Sequence, residues 1–159
     1  MNQKHINELF EIIADGSLDA EDIAAMSDEV LKAHTDAVAY LQADTGSQYQ
    51  ESYPLPLWEW VLLEQLEGGL IFHAPQVDAL YAQIVDAFGD DELDLTVADL
   101  AGLNADAALA KVQEELAPTY SVVDFSQSVA REKQVVLVRT AKLARFLELS
   151  AVLGIHAAA

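Results

Sequence analysis

The chain has 159 residues, 52% of them hydrophobic, and sets 27 acidic side chains against eight basic ones for a formal charge of −19. The apolar content excludes a disordered acidic tail, and the length suits one domain with a proper core. The absence of cysteine excludes disulfides and thiolate chemistry. A field of this sign repels nucleic acid and anionic membrane and attracts basic surfaces.

Taken in chain order, residues 3–14 place Ile6, Leu9, Phe10 and Ile13 on one helical face. Asp15-Gly16 is a turn signal. Residues 19–25 read as a short helix. Ser27 then reads as the N-cap of another helix reaching Gln42, with Val30, Leu31, His34, Val38 and Leu41 inward. Gly46, Ser47, Pro54 and Pro56 make 43–56 a loop. Residues 57–67, LWEWVLLEQLE, are apolar on most sides and predict a central helix ended by Gly68-Gly69.

Pro75 opens a helix carrying Val77, Leu80, Tyr81, Ile84 and Val85, with Gly89 as its stop. Residues 89–95, GDDELDL, read as an acidic loop. Thr96 caps a short helix to Ala101, and Asn104 caps one through Leu116. Residues 119–125 alternate weakly and suggest an extended piece, too short to argue for a sheet. From about Ser126 to Leu153 the near-continuous apolar pattern predicts a long last helix closed by Gly154. The expectation is therefore an all-α fold, one helical domain forming a compact bundle of six to eight helices.

Charge is divided along the chain. Residues 1–115 hold 24 acids and three bases, whereas 116–159 hold three acids and five bases. On a helical wheel Arg131, Arg139, Lys142 and Arg145 share one side, with Lys133 apart. One reading pairs these bases with carboxylates on neighbouring helices. A second leaves a strip open to an acidic segment or a phosphate. A third makes the helix the seam of a homodimer.

Local motifs give little chemistry. Asp15, Gly16 and Asp19 resemble half of a calcium loop, but Ile13 and Asp22 stand where an oxygen donor and a bidentate Glu are needed. No phosphate loop, dinucleotide fingerprint, nucleophile elbow or zinc spacing occurs, so no cofactor, metal or catalytic residue is assigned. His34 reads as a core histidine and His73 as sitting at a helix–helix junction. Trp58 and Trp60 point to opposite sides of their helix, which suggests that one marks a contact surface.

Two functional classes follow. The first is an acidic interaction protein for a basic protein partner: an inhibitor or immunity protein, or a DNA mimic acting on a nucleic-acid-binding protein. Its candidate contact residues are Asp78, Asp86, Asp90, Asp91, Glu92, Asp94 and Asp99, with Trp58 and Trp60. Asp28, Asp36 and Asp106 extend the pool available to a mimic. The second is a ligand-binding or enzymatic domain with a pocket near Trp58, Trp60, His73 and Tyr81. Acidity as salt adaptation alone is the bland alternative. No apolar run approaches the roughly 18 residues of a membrane span, and the acids near the start do not suit a signal peptide. A cytoplasmic protein is expected.

Overall fold

The computed structural model describes residues 1–159. Helix α1 (Gln3–Ala14) is capped by Asn2, whose side chain accepts from the Lys4 amide, and buries Ile6, Leu9, Phe10, Ile12 and Ile13. Asp15 ends it in the left-handed conformation (φ 49°), followed by Gly16 (φ 84°). Helix α2 (Ala20–Thr35) is capped by Asp19, and α3 (Ala37–Ala43) by Asp36. Helix α4 (Leu57–Leu66) follows the loop. Strand β1 (Phe72–Ala74) leads into α5 (Val77–Phe88), a 3-10 turn at Val97–Leu100, and α6 (Ala105–Leu116). Strands β2 (Tyr120–Phe125) and β3 (Lys133–Arg139), a 3-10 turn at Thr140–Lys142, α7 (Leu143–Leu153) and β4 (Ala157–Ala158) complete the chain.

The strands form one antiparallel sheet in the order β1-β3-β2-β4. Tyr120 pairs with Arg139 and Asp124 with Val135 in the central pair, Phe72 with Val135 at one edge, and Phe125 with Ala157 at the other. Both edge strands are very short, which limits pairing with other chains. Val123, Phe125, Val136 and Val138 face a core built with α1, α2, α4 and α7. Phe72, Ala74, Val122 and Val135 face a smaller core with α5 and α6. Each large side chain so buried contributes roughly 1.5–3 kcal/mol relative to exposure. Phe125 and Phe146 fix α7 to the sheet, with ring centroids 5.6 Å apart.

The fold is therefore mixed α and β, seven α-helices around a four-stranded sheet, and the all-α expectation is corrected. The error lies in the predicted long last helix. Residues 133–139 are a strand covered on both faces, so Val135, Val136 and Val138 are all buried and their alternation is hidden. Such a strand reads as a continuous apolar run, indistinguishable by period from a buried helix. Its β-branched valines favour the extended state. A dimer seam along one continuous helix loses its premise, because that helix does not exist.

Two further boundaries move. Residues 20–35 are one helix, and the break falls at Asp36, whose carboxylate accepts from the Ala39 amide at 3.0 Å. Ser27 is not a cap. It lies buried inside α2 with its hydroxyl unpartnered. Consequently Val38 is 67% exposed instead of inward, and His34 is exposed, edge-on to Trp58 at 6.2 Å. His73 stands on strand β1, not between two helices. The expectations at Thr96, Asn104, Gly89 and Gly154 agree with the observed ends of the elements. No helix is long and apolar enough to cross a membrane.

Candidate functional site

Three of the five bases of the C-terminal part engage carboxylates within the molecule. Lys133 Nζ lies 2.7 Å from Asp124 on the adjoining strand. Arg139 Nε donates to both carboxylate oxygens of Asp15, at 2.7 and 2.9 Å, and Tyr120 Oη donates to the same group at 3.0 Å. The guanidinium sits over the Tyr120 ring, 5.2 Å from its centroid. Arg145 forks onto Glu8 with two bonds of 2.8 Å and reaches Glu148 at 3.1 Å. Hydrogen bonding from Arg139 holds Asp15 below its ordinary pKa, and Arg145 does the same for Glu8. The strip imagined on one helical face is therefore split among a loop, a strand and a helix. Arg131 and Lys142 are exposed without an ion pair.

The α5–α6 side of the sheet carries a run of acids without such partners. Residues 78–115 hold ten acids and one base, Lys111. Asp78, Asp86, Asp90, Asp91, Glu92, Asp94, Asp99 and Asp106 are all exposed, and none of them is in a salt bridge. Their segments are held in shape by local bonds. The Asp94 amide donates to Glu115 Oε1 at 2.7 Å. Thr96 and Asp99 form a reciprocal capping box, and those bonds lower the Asp99 pKa. Tyr81, buried beneath, donates its hydroxyl to the Leu95 carbonyl at 2.7 Å. Burial, with the negative field of Glu115, Asp99 and Asp94, pushes that hydroxyl up to about 12. The bond to Leu95 ties the 89–99 segment to α5.

Trp58 and Trp60 are both half-buried and do not meet on one face. Trp60 packs with Tyr53 and Tyr49, centroids 5.3 and 6.3 Å away. Trp60 and His73 do line one cavity, of about 130 Å³, together with Glu64, Glu67, Glu132 and Gln134. Trp58 and Tyr81 lie elsewhere, so the predicted four-residue pocket does not assemble. Small-molecule sites are typically about 300–1,000 Å³. His73 Nε2 is 2.9 Å from Glu67 and Nδ1 is 3.5 Å from Glu132, so each ring nitrogen already faces a carboxylate. The indole N–H of Trp60 is buried with no acceptor in hydrogen-bonding geometry. The β1–β3 pairing brings Glu132 and Gln134 to His73, and Glu67 joins them from the end of α4; none of the three gave a local sequence signal.

The Asp15–Asp22 segment is a turn between helices. Asp15 faces Arg139, and Asp19 caps α2 by accepting from the Asp22 amide at 2.8 Å. No group of three or more His, Asp or Glu side chains has the arrangement to hold a metal ion. A buried carboxylate escaped notice in the sequence. Glu59, 6% exposed, accepts from the Ser126 hydroxyl at 2.8 Å, and burial raises its pKa. Comparison with known proteins gives no match among family models, curated proteins or solved structures.

Proposed function

We propose that this protein is an acidic interaction module that binds a basic protein partner through the outer surface of α5, the 89–99 segment and α6. One observation carries the reading. Half of the chain's eight bases are held by carboxylates, Lys133, Arg139 and Arg145 among them, while the eight exposed acids from Asp78 to Asp106 have no ion-pair partner. Unscreened like charges on a surface destabilise the compact state, and a basic partner relieves that repulsion while being steered to it. Within this class, an inhibitor or immunity protein, or a DNA mimic, acting on a nucleic-acid-binding protein fits the sign of the surface. We place the activity in the cytoplasm, which fractionation of source cells checks.

The test is capture from nuclease-treated lysate of the protein's own source, washed at low and at high salt. The expected result is one basic protein, retained at low salt and released at high salt. DNA that competes for that protein would identify a mimic, and competition by neither DNA nor salt would contradict the reading.

A further inference from the structure

Helix α3 is an anomaly. Six of its seven residues, Ala37–Leu41 and Ala43, are apolar, yet none of the seven is buried. A helix hydrophobic nearly all round normally has cover. Beside it runs a groove of about 510 Å³ against α2, floored by Leu31, Ala39, Tyr40 and Ala43. Asp28 and Asp36 line it too. The Tyr40 hydroxyl donates to Glu29 at 2.9 Å, and burial together with Glu29, Asp44 and Glu64 raises its pKa. Two carboxylates, Asp28 and Asp36, therefore border an apolar floor, and a third, Glu29, holds the Tyr40 hydroxyl beside it. The one base in the groove, Lys32, leans towards Glu29 at 3.7 Å.

We infer that this groove receives an amphipathic, lysine- or arginine-rich helix of the partner, laid along α2 and α3 with its apolar face down. Three arguments fix that occupant. An apolar floor between two helices matches the helix-in-groove mode, in which residues at i, i+3, i+4 and i+7 anchor the ligand. The acidic border complements basic flanks and gives them register and on-rate. A second copy of this chain, itself at −19, would set like charges against like. The inference rests on the acidic-module reading and adds to it a second contact surface with its own chemistry.

The test uses the full chain, ¹⁵N-labelled, and three synthetic 16-residue peptides. The first is amphipathic, with Leu at i, i+3, i+4 and i+7 and Lys elsewhere. The second has the same composition in scrambled order, and the third replaces every Lys by Glu. The first should bind at least tenfold more tightly than the second, with amide shifts concentrated in residues 28–43, and the third should not bind. Ala39→Arg should weaken the first peptide at least tenfold. Lys32→Glu, an exposed change that removes the only local base, should strengthen it about threefold, which separates loss of binding from loss of fold. Equal binding of the first two peptides, or shifts confined to 86–115, would overturn the groove and leave the acidic module standing. No binding of either basic peptide would overturn both. A concentration-dependent dimer abolished by Ala39→Arg would assign the groove to a second copy and overturn the inference.

Discussion

The acids at the α1–α7 contact and those of α5, the 89–99 segment and α6 handle negative charge in opposite ways. On the α1–α7 side, Glu8 and Asp15 are drawn to Arg145 and Arg139, and the pairs link the first helix to elements more than 120 residues later in the chain. On the α5–α6 side the exposed acids have no such partner, and their segments are shaped by caps and one tyrosine instead. The contrast teaches that a net charge of −19 is not one property. On one side charge is part of the fold's wiring. On the other it is surface left over after the fold is satisfied.

The sharpest way to break the comparison is to neutralise the unpaired side. Asp90, Asp91 and Asp94 replaced together by Asn should reduce binding of the basic partner at least tenfold, read by titration at low salt, while stability stays level or rises. If stability fell instead, those acids would be structural and the contrast would be lost. Asp91 stands at a positive φ of 63°, which Asn tolerates, so the change isolates charge.

On the paired side the effect should reverse. Asp15→Asn keeps a residue tolerated at its left-handed position but removes the carboxylate held by Arg139 and Tyr120. Thermal unfolding should drop by a few degrees and partner binding should be unchanged. The folded-state pKa of Asp15 is lowered, so its stabilisation is present at neutral pH and lost as pH falls through that lowered value. The variant should show less acid sensitivity than the parent in that window.

Glu59 gives a smaller effect of opposite sign. Its folded pKa is raised by burial, so the charged form opposes folding, and stability should rise as pH falls through the raised value. Glu59→Gln still accepts from Ser126 and should raise the urea midpoint at pH 7. The smallest change is Tyr81→Phe, which removes the bond to Leu95 and should cost about 0.5–1.5 kcal/mol. Hydrogen exchange should quicken at 89–99 and not in α1, if the tyrosine holds the acidic surface in shape.

Where chemistry is local, the sequence is legible. Thr96 with Asp99, Asn104, Gly89 and Gly154 mark element ends because caps and left-handed stops depend on a few neighbouring residues. The exposed acids of 78–106 were readable for the same reason, since a charge run seldom enters a core. What failed depended on long-range pairing. Val135, Val136 and Val138 show no alternation because the core with α1 and α7 covers one face of the strand and the core with α5 and α6 the other, and nothing within 133–139 says so. The same strand pairing created the contact of His73 with Glu132, whereas its contact with Glu67 spans only the turn after α4. The break at Asp36 was visible in principle, because Asp caps a following helix as readily as Ser, but the apolar pattern continued across it.

The most direct test of the account is a side-by-side capture with the parent protein, the Asp90/Asp91/Asp94→Asn variant and Asp15→Asn, each confirmed folded. The account predicts that the parent and Asp15→Asn retain the same basic protein at low salt and release it at high salt, while the triple variant retains none. Equal retention by all three, or a bound protein indifferent to salt, would contradict it.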